Sequence, residues 1–243
     1  MERELNRYCK EILHCTSIRD YKTAVGRFAN SRGMRTFGST VITDHSPTMT
    51  EFQYITNAAS EYLADYEDLE SAKIDPVSQH AKRSSNPIVW NQSTYVETDT
   101  MPLWEHQATF GYCSGITLAL HLPRGRHFMF GVDCDRQVCF DRRHERAIVE
   151  AVSVFAAHAQ AAAFDLCAGY KPIPEDNLEW TPIELEPLRW SVDGLTNWEI
   201  GERLGISERE VARRLHRAGQ RLSCATRYET VLRAIRLGLI DCD

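Results

Sequence analysis

The chain has 243 residues, enough for one large domain or two ordinary ones, and its 43% hydrophobic and 26% charged residues are typical of a soluble globular protein. Its formal net charge of −6 excludes a generally polycationic chain, so any nucleic-acid-binding surface must be local. The eight cysteines form no Cys-x-x-Cys pair, which indicates reduced thiols in a cytoplasmic protein without a zinc site. The N-terminus is polar and charged, so no signal peptide is predicted, and no apolar run of about 20 residues predicts a membrane span.

Helices and strands alternate in the first two thirds of the chain. Apolar periodicity and caps predict helices over residues 2–33, 58–69, from 75, 101–110 and 141–167. Alternation and β-branched residues predict strands at 36–43, 52–55, 114–121 and 127–133, with a loop at 44–49 and a short apolar segment at 88–90. This order indicates an α+β fold in which an α-β-α sandwich surrounds a central antiparallel sheet.

The Pro- and Gly-containing segment 169–177 has the composition of a linker. It separates a predicted domain over 1–168 from an all-α, four-helix domain over 178–243. No internal repeat interrupts this division.

The stretch 194–222 predicts two helices joined by a tight turn. Thr196 and Glu199 can form a capping box, and Gly205 can end the first helix with a positive φ. Ser207 and Glu210 predict a second capping box at the next helix. A short helix, a glycine turn and a second helix are typical of a helix-turn-helix, whose second helix enters the DNA major groove.

The second helix separates apolar from basic positions. Its apolar face is Val211, Leu215, Ala218 and Leu222. Over 209–236 there are eight arginines against two acids, so this domain is expected to carry a basic side. The alternative is an ordinary helical hairpin whose basic face is merely solvated.

The C-terminal segment resembles the DNA-binding domain of LuxR-type regulators. The residues that carry the resemblance span about 60 positions: Thr181-Pro182-Ile183-Glu184, Leu188-Arg189-Trp190, Asp193-Gly194, Thr196, Glu199-Ile200-Gly201, Leu204-Gly205-Ile206-Ser207, Val211, Leu222 and Gly238-Leu239-Ile240. The resemblance implies DNA-binding residues at Thr196, Ser207, Arg209, Arg213, His216 and Arg217. Glu210 departs from the family's threonine, and its carboxylate would repel phosphate unless it caps the helix or pairs with Arg214.

The N-terminal part resembles the autoinducer-binding domain of the quorum-sensing members of that family. The matching residues are Tyr66, Ile74-Asp75-Pro76-Val77, Val89-Trp90, Trp104, Gly111 and Ser114-Gly115-Ile116-Thr117. The resemblance implies an acyl-homoserine lactone buried between sheet and helices, in contact with Tyr62, Tyr66, Asp75, Trp90, Trp104 and Thr117. Asp75 would accept the ligand's amide N–H, and Tyr62 would hold the lactone carbonyl. The alternative is that the aromatic residues are only core and that Asp75 is only a helix cap.

Three positions depart from the family's ligand-holding pattern. Tyr62 stands for a tryptophan, Ala58 for a tyrosine, and Gly131 for a serine or threonine. Phe128, Met129 and Phe130 are expected to fill the acyl channel. Each hydrogen bond missing from a buried site costs about 1–3 kcal/mol if the ligand's polar group stays unpaired.

The leading hypothesis is a transcriptional regulator that binds double-stranded DNA as a homodimer, without a cofactor and without catalysis. Helix 141–167 and the region of Val231, Ile235 and Leu239 are the expected dimer surfaces. The alternative is that both pack within the chain, against the sheet and the helix-turn-helix. A second hypothesis is a regulator of the same family that needs no ligand because its own side chains fill the pocket. The third is an enzyme that uses residues of 44–135, but no nucleophile motif or phosphate loop accompanies the available histidines.

Overall fold

The structure is a computed structural model, and it describes residues 2–46, 49–66, 73–123, 125–136, 142–167 and 180–241. The chain divides into two compact units, one of Met1–His121 with Arg126–Tyr170 and one of Leu122–Gly125 with Lys171–Asp243. The expected linker at 169–177 lies outside the described residues.

The first unit contains five strands and seven described helices. Its helices are α1 (Glu2–Leu13), α2 (Ile18–Ser31), α3 (Ser60–Tyr66), α4 (Pro76–Arg83), α5 (Gln92–Glu97), α6 (Met101–Thr109) and α7 (Arg142–Leu166). Its strands are β1 (Thr36–Ser46), β2 (Met49–Thr56), β3 (Ile88–Trp90), β4 (Ser114–Leu122) and β5 (Arg126–Cys134). They form one sheet in the order β2-β1-β5-β4-β3, and β1 pairs antiparallel with both β2 and β5.

The two faces of the sheet have different partners. On β5, Phe128, Phe130 and Val132 are fully buried on the face that packs against helices. Phe130 contacts Phe155 of α7, with 5.8 Å between ring centroids. The alternate residues of β5 point to the opposite face, because successive strand residues alternate. The α+β sandwich is therefore confirmed, and the sheet's second face is left for a different set of residues.

Three elements differ from the sequence prediction. Strand β2 begins at Met49, three residues before its predicted start. Residues 44–46 continue β1 instead of starting a loop, since Thr43 and Asp44 pair with Glu51 and Thr50. The helix α5 is not predicted from the sequence because its six residues are too few to show a helical period. Its start is fixed instead by a capping box at Asn91.

Helix α7 is the one described helix that is long and apolar enough to cross a membrane by length and composition. Half of its most apolar window is buried inside the protein. Val152, Phe155, Ala156, Ala159 and Ala163 are fully buried on this helix. That burial is the pattern of a core helix, which passes the same length test.

The second unit consists of four described helices: α8 (Pro182–Val192), α9 (Asn197–Leu204), α10 (Glu208–Arg221) and α11 (Arg227–Arg236). Leu188, Ile200, Val211 and Ala234, one from each helix, meet in a single core. The predicted apolar face of α10 is confirmed, since Val211, Leu215, Ala218 and Leu222 are all buried there.

Candidate functional site

A cavity of about 120 Å³ lies between the second face of the sheet and helices α3 to α6. Its lining is aromatic and polar: Phe37, Gly38, Ser39, Thr40, Tyr54, Thr56, Ala58, Tyr62, Leu63, Asp75, Val77, Trp90, Tyr95, Gln107, Tyr112, Thr117, Met129, Gly131 and Asp133. Four of the six predicted ligand residues, Tyr62, Asp75, Trp90 and Thr117, therefore share one cavity. The side chain of Tyr66 lies outside the described residues.

Asp75 is both a helix cap and a cavity residue. Its Oδ1 accepts from the Val77 amide at 3.3 Å and its Oδ2 from the Ser78 amide at 2.9 Å, at the start of α4. The hydroxyl of Tyr95 donates to Oδ1 at 3.0 Å. A carboxylate can accept about four hydrogen bonds, so these three donors leave one position for a ligand N–H. The cap interpretation and the ligand interpretation of Asp75 are compatible.

Trp90 and Thr117 are joined across the sheet. The indole N–H of Trp90 donates to Thr117 Oγ1 at 3.1 Å, and both side chains are buried. The pairing of Trp90 with Gly115 brings β3 against β4. Trp90 therefore lines the cavity with its indole N–H already paired.

Gly115 is required where Trp90 approaches the sheet. A Cβ at this position would lie 2.8 Å from Trp90 Cζ2 and 2.8 Å from the Val132 carbonyl oxygen, and it would also collide with Asp133 Oδ1. Gly131 has more room, since its Cβ would lie 3.2 Å from Thr117 Oγ1. The absence of a side chain at Gly131 therefore leaves the Thr117 hydroxyl at the cavity wall.

Trp104 is not part of the cavity wall. Its indole N–H donates to the Cys113 carbonyl oxygen at 3.0 Å, and its ring packs against the cluster that contains Val77 and Tyr95. Trp104 therefore packs against the cluster that contains Trp90 but does not line the cavity itself. Its contacts indicate that Trp104 supports cavity-lining side chains from behind.

Met129 alone of the three residues expected to fill the acyl channel lines the cavity. Phe128 and Phe130 lie on the helix-facing side of β5, so the expectation for those two is wrong. The reason is the period of two along a strand, which places neighbours on opposite faces.

Eight polar cavity residues escape the sequence prediction: Ser39, Thr40, Tyr54, Thr56, Tyr95, Gln107, Tyr112 and Asp133. Tyr62 stacks on Tyr112 with ring centroids 4.3 Å apart. Asp133 is 7% exposed, and burial raises the pKa of its carboxyl to about 8. Burial, and secondarily the nearby Asp133 carboxyl, raises the pKa of Tyr112. The signal that could have found Asp133 is alternation, since it stands two residues after the cavity residue Gly131.

The predicted DNA-binding residues of α10 share one exposed face. Arg209, Arg213, His216 and Arg217 are all exposed, at helical spacings of four, three and one. They lie opposite the buried Val211 and Leu215. The helix therefore presents a basic face of the kind that a recognition helix requires.

Glu210 is paired within α10. Its carboxylate accepts from Arg213 Nε and Nη2, both at 2.7 Å, and from Arg214 Nε at 2.9 Å. These hydrogen bonds, that of Arg213 foremost, lower the pKa of Glu210 to about 2. The predicted second capping box is therefore only half present: Ser207 Oγ accepts from the Glu210 amide, but the Glu210 carboxylate faces the arginines.

Two further arginines of the segment 209–236 form hydrogen bonds within the C-terminal unit. Arg221 bonds to Glu184 at 2.7 Å and lies 4.0 Å from the Trp180 ring centroid. Arg227 donates to Ser191 Oγ at 2.8 Å. A phosphate contact by Arg221 would compete with its bond to Glu184.

The predicted caps of α9, the first helix of the helix-turn-helix, are confirmed. Thr196 Oγ1 accepts from the Glu199 amide at 3.3 Å, and the Thr196 amide donates to Glu199 Oε2 at 2.7 Å. Gly205 ends α9 with a φ of 67°. The hydroxyls of Thr196 and Ser207 thus have structural roles at helix starts, where exposed backbone N–H groups can also meet an anion.

Comparison with known proteins covers both units. Residues 17–170 match the model of the autoinducer binding domain, and residues 180–234 match that of bacterial regulatory proteins of the luxR family. The chain is 34% identical over 173 residues to the quorum sensing-dependent transcriptional regulator RpaR of Rhodopseudomonas palustris, covering 69% of this chain and 66% of RpaR. It is 23% identical to the transcriptional activator LuxR of Aliivibrio fischeri, covering 97% of this chain and 94% of LuxR.

Solved structures show the same fold. Escherichia coli SdiA superimposes with a TM-score of 0.75 at 20% identity, covering 98% of both chains. A structure of SdiA in complex with octanoyl-rac-glycerol superimposes with a TM-score of 0.73 at 18% identity, covering 99% of this chain and 97% of SdiA.

Proposed function

The chain belongs to the LuxR family of quorum-sensing transcriptional regulators, with an autoinducer-binding domain and a helix-turn-helix domain, and we propose that its signal is an acyl-homoserine lactone. It is a transcriptional regulator and not an enzyme. The proposal assigns the ligand to the cavity, palindromic DNA to the face of α10, and the active form to a cytoplasmic homodimer.

One observation carries the ligand proposal: Asp75 lines the cavity, and the three donors found among the described residues leave its carboxylate one hydrogen-bond position. A secondary amide N–H fits that position, and a charged acceptor makes the bond strong. Trp90 and Tyr62 supply flat apolar surfaces for a ring beside it. Tyr62, Tyr66, Trp90 and Thr117 are proposed as contacts, and Trp104 as a residue that supports the wall.

The DNA proposal assigns base contacts to Arg209, Arg213 and His216, and a phosphate contact to Arg217. Thr196 and Ser207 stand at the starts of α9 and α10, where their backbone N–H groups and hydroxyls can approach phosphates. A dimer would place two α10 helices about 34 Å apart, one helical turn of DNA.

The dimer proposal is supported by surfaces on both units. On and after α11, Tyr228, Leu232, Ile235 and Leu239 follow a helical spacing and are each at least partly exposed. Val231, expected from the sequence to lie in this surface, is instead buried in the domain core. On α7, Val154 is 44% exposed.

The test is selection of duplexes from a random library by the full chain, with and without N-hexanoyl-homoserine lactone. We expect an inverted repeat to be enriched only with lactone, and sedimentation of the complex to show two protein chains. Asp75→Asn is the matched variant, since asparagine caps helices as well as aspartate does but loses the charged acceptor. It should fold normally and need about 10-fold more lactone.

Equal binding of the selected site by lactone-free protein would contradict the proposal. It would favour the ligand-independent regulator. A second acyl ligand belongs in the same experiment, because SdiA, which shares this fold, has been solved with octanoyl-rac-glycerol. Enrichment of the duplex with that compound and not with the lactone would show that the signal belongs to another class of acyl compound. The assignment of the chain as a transcriptional regulator would stand.

A further inference from the structure

Three polar groups at the cavity are left without partners among the described residues. Among the described residues, Tyr112 Oη and Gln107 Nε2 are buried atoms that form no hydrogen bond. The Asp133 carboxyl, buried on β5, also accepts from no described donor. Burying such groups unpaired is costly, so each calls for a partner that occupies the cavity.

Each of these groups lies near Trp90. Gln107 Oε1 accepts from the Tyr95 hydroxyl at 3.4 Å, and the ring centroids of Tyr95 and Trp90 are 6.2 Å apart. Asp133 is near enough to Tyr112 for its charge to affect the tyrosine hydroxyl, yet no hydrogen bond joins them. Asp133 also flanks Gly115 on the side where Trp90 approaches. The unpartnered groups therefore cluster at the Trp90 end of the cavity, beside the ring of Tyr62 that stacks on Tyr112.

The chemistry of the cluster is selective. A protonated carboxyl, the form that Asp133 keeps below its raised pKa of about 8, donates through its O–H and accepts through its carbonyl oxygen, whereas the Tyr112 hydroxyl and the Gln107 amide N–H need an acceptor. A hydroxyl group supplies both, whereas an ammonium supplies no acceptor. A carboxylate would add a third acidic group beside Asp75 and Asp133, in a cavity whose described lining contains no Lys, Arg or His.

We propose that Asp133, Tyr112 and Gln107 form a second polar subsite that selects a ligand with a hydroxyl group at the Trp90 end of the cavity and rejects a carboxylate there. The proposal rests on small-molecule sensing by this cavity. It adds a requirement on the ligand that neither Asp75 nor the aromatic walls impose.

The test uses a matched series of hexanamides with the full chain in calorimetric titrations. N-(2-hydroxyethyl)hexanamide and N-propylhexanamide differ by a hydroxyl in place of a methyl. N-(2-aminoethyl)hexanamide and N-hexanoyl-β-alanine carry an ammonium and a carboxylate, and N-hexanoyl-homoserine lactone tests the proposed signal. We expect the hydroxyethyl amide to bind about 10-fold more tightly than the propyl amide and the β-alanine compound most weakly.

Two variants should erase that preference. Tyr112→Phe keeps the stacked ring, and Asp133→Leu keeps the branched shape, but each removes the polar atoms. Tyr21→Phe is the control, because Tyr21 is a buried tyrosine outside the cavity lining whose hydroxyl donates to Ser39 Oγ at 3.0 Å. It should leave the preference unchanged.

Melting of the ligand-free chain gives a second readout. Tyr112→Phe and Asp133→Leu should raise Tm by a few degrees, since they remove unpaired buried groups, whereas Tyr21→Phe should lower it. A lower Tm for Tyr112→Phe would mean that the hydroxyl has a protein partner, and it would overturn the inference.

The remaining outcomes separate this inference from the proposed function. Binding of the lactone with no preference for the hydroxyethyl amide over the propyl amide overturns the inference alone. Tighter binding of the aminoethyl amide overturns the assignment of a hydroxyl. Preference for the hydroxyethyl amide without binding of the lactone supports the subsite and overturns the lactone as signal, and binding of none overturns both.

Discussion

Glu210 restrains the residues expected to meet DNA. Its carboxylate bonds to Arg213 and Arg214, so it holds one guanidinium of the exposed face of α10 and lowers the positive charge there. Glu210→Thr should therefore tighten binding to the selected duplex several-fold and steepen the dependence of log affinity on log salt by about one unit. Arg213→Ala should weaken specific binding about 10-fold or more. Fluorescence anisotropy at several salt concentrations measures both.

Glu208→Thr is the control for Glu210→Thr. It removes the same charge from the first turn of α10, but Glu208 is exposed and forms no ion pair with a described residue. The gain should be larger for Glu210→Thr, because only that change releases Arg213. Weaker binding by Glu210→Thr would show that the carboxylate orients Arg213 for reading or accepts from a cytosine amino group.

Gly115 decides whether Trp90 can reach the sheet. In Gly115→Ala the new methyl would meet Trp90 Cζ2 and the Val132 carbonyl oxygen, both at 2.8 Å. We expect a loss of about 1–3 kcal/mol in the free energy of unfolding and loss of ligand binding as Trp90 is displaced. Urea titration and calorimetry test this.

Gly38→Ala is the matched change on β1. Gly38 lines the same cavity, but a Cβ there would meet no atom within 4 Å. It should fold with nearly unchanged stability. Equal destabilisation by the two changes would contradict the close approach at Gly115.

At the level of elements, α9 and the turn that follows it approach each other closely at Gly201. A Cβ at Gly201 of α9 would lie 2.7 Å from the Ile206 carbonyl oxygen in the turn. Gly201→Ala should therefore shift α10 relative to α9, destabilise the C-terminal unit by about 1–3 kcal/mol and reduce DNA affinity. Thermal unfolding and anisotropy should change together, while Glu202→Ala, at an exposed position of the same helix, should change neither by much.

Caps explain which element boundaries the sequence predicts. Ser17, Thr196 and Ser207 each accept an amide hydrogen bond at a helix start, as their residue types predict. Glu210 fails as the partner in its capping box because two arginines, three and four residues later, offer charged donors. Similarly, β1 extends beyond its predicted end because it pairs with β2 there, and the sequence near residue 44 does not predict that pairing.

At the scale of the whole molecule, Asp133 makes stability depend on pH. Burial raises its pKa from 3.8 to about 8, so between these values the folded chain holds a proton that the unfolded chain has released. The contribution of Asp133 to the free energy of unfolding of the N-terminal unit should therefore be greatest below pH 4. As pH rises from 4 to 8, this free energy should fall by at most about 1.4 kcal/mol per pH unit. Scanning calorimetry of the full chain at pH 5 and pH 8 measures the loss.

Asp133→Asn should show a smaller loss over the same interval, and the difference between the two proteins isolates this carboxyl from other titrating groups. Identical pH dependence of the two would mean that Asp133 is ionised in the folded chain, with a partner that the described residues do not supply.

The sequence alone determined the α+β class and the family, because periodicity, caps and closely spaced motifs such as those of 194–222 are local. It also placed Asp75, Trp90 and Thr117 among the ligand candidates through their motif. Only the tertiary structure decided that Trp104 lies outside the cavity wall, that Phe128 and Phe130 face the helices, and that Glu210 binds its neighbours. It also brought Asp133 of β5 beside Tyr112, in the segment between α6 and β4, where burial changes the chemistry of the carboxyl. The physical reason is that burial and unpaired polar atoms arise from packing between residues distant in the chain.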